Sequence, residues 1–165
     1  MKYILLLLCV VSSPYLFAHC QIPCGIFNDE LRIHLMFEHI TTLEKSMKMI
    51  KELSSKEEKD FNQLVRWIQN KESHAQELEH IVTFYFLQQR IKLADEKDEK
   101  EYALYLKKVV TLHQILVYSM RAKQTTDLAN IEKLRTLVKE FRGLYFGIQG
   151  KEEKHAHAHE HGHSH

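Results

Sequence analysis

The residues with the greatest capacity for chemistry stand together near the start of the 165-residue chain, in His19-Cys20-Gln21-Ile22-Pro23-Cys24-Gly25-Ile26-Phe27. They directly follow an apolar leader that ends in Ala18. Were the chain cut after Ala18, His19 would carry a free α-amine beside its own imidazole and next to Cys20. That amine, the Cys20 backbone nitrogen and the Cys20 sulfur can close adjacent five-membered chelate rings on one ion with no fold to assemble them. Cys24 can return as a fourth donor, because Pro23 restricts the backbone for a turn and Gly25 accepts conformations that bulkier residues resist. Two nitrogens and two thiolates in a plane, with the His19 imidazole near enough to be axial, suit Ni(II) or Cu(II) better than tetrahedral zinc.

Residues 1–18 have the layout of a secretory signal peptide: Lys2, an apolar run from Ile4 to Val11, then Ser12, Ser13 and Pro14, and a small residue at Ala18. The run is short for a membrane span, Leu16, the third residue before the cut, is larger than the residue usual there, and His19 before Cys20 argues against a lipoprotein. Export to a periplasmic or extracellular space is expected. Cleavage removes Cys9 and leaves Cys20 and Cys24, which an oxidising compartment would also allow to pair as a disulfide. Such a bridge would close a very small loop and stabilise the fold little. The neighbouring residues favour metal.

HCQIPCGIF resembles the N-terminal hook of nickel superoxide dismutases, H-C-x-x-P-C-G-x-Y, with five of the six fixed positions matched. RWIQNKESHAQ and YFLQQRIK, within residues 62–92, are also similar to that family, and the similarity spans most of residues 19–148. The resemblance implies one nickel ion per subunit, cycling between Ni(II) and Ni(III) while superoxide disproportionates to dioxygen and hydrogen peroxide. It implies as ligands the His19 amine, the Cys20 amide nitrogen and the Cys20 and Cys24 sulfurs, with the His19 imidazole joining on oxidation. Pro23 and Gly25 would shape the turn. It further implies a homohexamer in which a neighbour partly walls each hook. Two departures stand out: Phe27 replaces the tyrosine usual above the metal, and His34 stands where some members carry a carboxylate that orients the axial imidazole. His74 is a candidate to face His34. The missing phenol lends weight to an alternative, a nickel store or chaperone that binds without turnover.

The body of the chain must position this hook. Lys and Arg number 23 against 22 Asp and Glu, which leaves no basic surplus for nucleic acid. Both prolines lie in the first 23 residues and no glycine occurs between Gly25 and Gly143, so helices joined by short polar turns are expected. Asn28 should cap a first helix ending near Leu53, with Leu31, Leu35, Ile40, Leu43, Met47 and Ile50 on one face. Ser55 with Glu58 reads as a capping box for a second helix over 56–93, with a possible break between Asn70 and Ser73. Asp98 with Glu101 starts a third, whose apolar face includes Tyr102, Leu106, Val109, Leu112, Ile115, Leu116 and Met120. A fourth should start near Asp127 and reach Phe146, with Lys139 and Arg142 complementing its dipole. No Glu-x-x-His array marks a metal inside the bundle.

The expected organisation is all-α: a signal peptide over 1–18, a metal-binding hook over 19–27, an antiparallel four-helix bundle over 28–148 and a disordered tail over 149–165. The tail places histidines at alternate positions, His155, His157, His159, His161, His163 and His165. Such a tract binds divalent metals through neutral imidazoles, and it reads as capture or delivery of nickel. An appended purification tag is the other reading, although tags are usually consecutive histidines. Deleting residues 151–165 should lower nickel uptake at neutral pH and leave it nearly unchanged below about pH 6, where imidazolium no longer binds metal. A nickel titration that is the same with and without the tail across that range would remove the delivery role.

Overall fold

The computed structural model describes residues 26–147, so the leader, the hook from His19 to Gly25 and the histidine tail lie outside the described residues. Four helices succeed one another: α1 (Asp29–Ser55), α2 (Phe61–His80), which runs directly into a π-helical segment (Ile81–Arg90), α3 (Glu99–Gln124) and α4 (Ala129–Phe146). Each helix packs against the next and α4 closes on α1, which gives an antiparallel four-helix bundle.

The caps show why the helices begin where they do. The Asn28 side chain accepts from the Leu31 N–H at 3.0 Å, and Asp98 does the same for Glu101 at 3.1 Å, both as the sequence predicts. Helix α2 departs from expectation. Ser55 still belongs to α1, where its hydroxyl donates to the Glu52 carbonyl, so it cannot cap α2. Asp60 supplies the cap instead, accepting from Gln63 N–H, and the helix starts at Phe61 rather than at 56. Nor does it break between Asn70 and Ser73, where Asn70 donates across to Ser46 of α1 at 2.9 Å. Asp127 stands just ahead of α4 and accepts from Ala129 N–H. At the far end, Arg142 reaches Glu30 of α1 rather than its own helix terminus, and Gly147, in the left-handed region at φ 71°, ends the helix.

The core gathers Ile33, Met36, Ile40, Leu43 and Met47 from α1 and Ile131, Leu134, Leu137, Val138 and Phe141 from α4. Ile40, Leu43 and Met47 of the expected α1 face lie in this core and Leu35 packs against it, whereas Leu31 is half exposed and Ile33 and Met36 take the inward positions of the first turns. In α2 and the π-helical segment Phe61, Ile68 and Phe84 are exposed, while Lys71 is buried. The Lys71 ammonium donates to the Ala122 and Lys123 carbonyls, so a cation closes the C-terminal end of α3, where the helix dipole favours it. Phe86 meets Phe141 edge-on at 4.9 Å and both are fully buried. Truncating Phe141 to Ala should cost about 3–5 kcal/mol in urea unfolding. A loss under about 1 kcal/mol would mean that this aromatic layer is not the centre of the core.

Candidate metal centre and its anchor

The described chain begins two residues past Cys24, and it shows how the hook's root is fastened. Asp29, the first residue of α1, receives four hydrogen bonds. Its Oδ1 accepts from the Tyr85 hydroxyl at 2.7 Å and Arg90 Nε at 2.8 Å, and its Oδ2 accepts from Arg90 Nη2 at 2.6 Å and the Tyr145 hydroxyl at 2.8 Å. A bidentate guanidinium fork with two phenols satisfies the carboxylate from three directions. The Phe27 ring extends this cluster: it meets Tyr85 edge-on at 5.9 Å, and the Arg90 guanidinium lies 4.3 Å above it.

The π-helical segment explains how Tyr85 and Arg90 both reach Asp29. Residues five apart diverge on an α-helix, whereas i→i+5 bonding brings them close to one turn apart on the same side. Ile91 N–H bonds the Phe86 carbonyl at 2.9 Å, so this wider register persists to the end of the segment. Tyr145 arrives from the last turn of α4. Beside the cluster lies a groove of about 680 Å³, bordered by Asp29, Arg90 and Tyr145, with Asp98, Glu101 and Lys108 further along. Its charges are mixed.

The electrostatics derive from this geometry. Burial opposes ionisation of Asp29, but the Arg90 bonds, then those of Tyr85 and Tyr145, outweigh it and hold the carboxyl below its ordinary range. Burial first and the Asp29 contact second push both phenols up to about 12.

Of the site residues predicted from sequence, His19, Cys20, Pro23, Cys24 and Gly25 lie outside the described residues. Phe27 is about 40% exposed. His34 does not face His74. It is exposed on α1, with Nε2 3.3 Å from Glu30, a carboxylate one turn earlier that Arg142 also holds. His74 instead meets His39, Nδ1 to Nδ1 at 2.9 Å, so one ring donates and the other accepts. Burial, then His74, lowers the His39 pKa. Asp29, Tyr85, Arg90, Tyr145 and His39 are not among the site residues read from the sequence. Nothing in local composition announces a π register. Among the described residues no group of three or more His, Cys, Asp or Glu is disposed to hold a metal, and no helix is long and apolar enough to cross a membrane.

The anchor makes stability pH-dependent in a defined way. Asp29, with its pKa depressed when folded, contributes above the ordinary carboxyl value of 3.8, and that contribution is lost as pH falls through the depressed value. Tyr85 and Tyr145, raised from 10.0 to about 12, contribute below pH 10 and lose that contribution as pH rises toward 12. Asp29→Asn should cost about 2–3 kcal/mol near neutrality and flatten the acid limb of a urea-unfolding profile, while Tyr85→Phe flattens part of the alkaline limb. Parallel profiles for variants and wild type would contradict this role.

Compared with known proteins, the chain is matched over residues 15–149 by the family model for nickel-containing superoxide dismutase, a span that takes in the hook and the whole bundle and stops short of the histidine tail. No curated protein and no solved structure matches it.

Proposed function

Because the chain belongs to the nickel-containing superoxide dismutase family, we propose that its nickel is held by the His19 amine, the Cys20 amide nitrogen and the Cys20 and Cys24 thiolates. The protein is a nickel-dependent oxidoreductase that converts superoxide to dioxygen and hydrogen peroxide. The observation that carries the ligand assignment is the run HCQIPCG, placed directly after an apolar stretch and inside the matched span. The donor chemistry fits: two thiolates and a deprotonated amide donate enough electron density to stabilise an oxidised nickel that water ligands could not, and the set favours a planar ion. What nickel supplies when bound is a one-electron couple, accepting an electron from one superoxide and returning one to a second, which leaves with two protons as hydrogen peroxide.

The remaining work belongs to the chain. Export to a periplasmic or extracellular space, with cleavage after Ala18, creates the amine ligand. Asp29, clamped by Arg90, Tyr85 and Tyr145, fixes where the hook leaves the bundle. Phe27 carries a ring that cannot hydrogen-bond a small molecule, and the phenol beside it, Tyr85, has its proton committed to Asp29. Turnover therefore runs without a phenol free at that position. Assembly as a homo-oligomer, a hexamer by family resemblance, would let a neighbour wall each hook.

Cys20→Ser and Cys24→Ser should each abolish superoxide decay and cut bound nickel from one per chain toward zero in processed, hook-exposed protein, with helix content unchanged. One nickel per chain without superoxide decay in the wild type would instead mean a store or chaperone. Full nickel content in both variants would remove the hook as the site.

A further inference from the structure

The contact between α1 and α2 holds a pair of side chains that the chemistry above does not use. Asn70 ties α2 to Ser46 of α1 at 2.9 Å, and His74 of α2 meets His39 of α1, Nδ1 to Nδ1, at 2.9 Å. Ile40 and Leu43 on one helix and Ala75 and Leu78 on the other are fully buried beside these links, so the two backbones are held in register. The two imidazoles are only half-buried, within reach of solvent.

The ring geometry points to a ligand. The ring centres of His39 and His74 are 5.1 Å apart and their planes meet at 55°. That is close to the largest separation two rings with nitrogens in contact can have, so the rings stand head to head, an N–H against a lone pair. A tetrahedral zinc ion about 2.0–2.1 Å from two imidazole nitrogens holds those nitrogens roughly 3.3 Å apart and the ring centres roughly 5.2 Å apart. A right-angled pair on a planar ion would draw the centres in to roughly 4.5 Å. The centres therefore already have tetrahedral spacing. Zinc needs the nitrogens to part by only about 0.4 Å as the rings turn in place, with the helices left where they are.

We propose that His39 and His74 form a zinc site that clips α1 to α2, one Nδ1 from each helix, with water completing the tetrahedron. The ring that now donates moves its proton from Nδ1 to Nε2, so both Nδ1 lone pairs face the ion and no proton leaves the pair. Burial and His74 lower the His39 pKa against the opposing pull of Glu77 and Glu38. The ring is thus kept in the neutral form that ligates metal, while the two carboxylates favour an incoming cation. Two protein donors are fewer than a closed structural site has, so zinc here exchanges with solvent. The inference is independent of the nickel ligands proposed above.

Urea unfolding of the nickel-loaded full chain, with and without added zinc, provides the test. The hook donors and the tail histidines are each contiguous in sequence and bind zinc in the unfolded chain as well as in the folded one, which leaves the unfolding equilibrium nearly unchanged. His39 and His74 meet only when α1 packs on α2, so zinc held there stabilises the fold. Zinc at about ten times its dissociation constant should lower the wild-type unfolding constant about tenfold. It should do nothing for His39→Gln or His74→Gln, whose amide can still hydrogen-bond across the contact. A measurement that needs no variant is the NMR spectrum of the wild type, where zinc should shift the ring signals of His39 and His74 together and leave that of the exposed His113 in place. Equal zinc stabilisation of wild type and both variants would overturn the proposal. So would a wild type that zinc does not stabilise, or His39 and His74 signals that zinc does not move.

Discussion

The carboxylate of Asp29 is the joint between the bundle and its chemistry. A hook of a few residues can chelate an ion unaided, but it can present that ion in one place only if the chain emerges from the scaffold in one direction. In the proposed arrangement Asp29 supplies that direction, for it accepts from a guanidinium fork and two phenols carried on two other segments of the fold. The arrangement is satisfied on every side, which matters because a half-satisfied buried polar network is worse than an apolar contact. It also depends on the irregular π register at Ile81–Arg90, so an unusual piece of backbone is retained where it serves the site.

The rest of the bundle can be understood as support for that joint. Arg142 on Glu30 and Arg135 on Glu44 tie α4 along α1, and Lys71 closes the end of α3. Phe86 packs against the aromatic residues Phe141 and Tyr145, so the core layer and the Asp29 clamp share Tyr145. Disturbing the core would thus be felt at the hook's root. The bundle holds its polar links between helices and leaves apolar side chains outward on α2 and α3.

Much of the scaffold is legible in the sequence because helices announce themselves by period and cap. Asn28 and Asp98 behave as their pattern predicts, and α4 reaches Phe146 as expected. The failures have physical causes. Ser55 and Glu58 have the right spacing for a cap, but α1 continues through Ser55 and consumes its hydroxyl. Leu106 and Met120 fit a core pattern because both faces of α3 are apolar, and period alone does not say which face turns inward. His74 meets His39 rather than His34, since the register between α1 and α2 decides which histidine stands opposite it. The Asp29 cluster joins residues 56 to 116 positions apart, and such a contact has no local signature. The proposed hook is the reverse case: its candidate donors stand within six residues of one another, so the proposal needs no fold at all.

The central claim is that a proteolytic cut makes a ligand. It is tested most directly by the superoxide decay rate of nickel-reconstituted protein beginning at His19 against protein that retains Ala18 ahead of it. With Ala18 retained, the His19 nitrogen becomes an amide and its imidazole is displaced from the chain end. Decay should fall to the rate of free nickel while circular dichroism and unfolding stay the same. Equal decay from the two proteins would contradict the account, because the α-amine would then have no part in holding the metal.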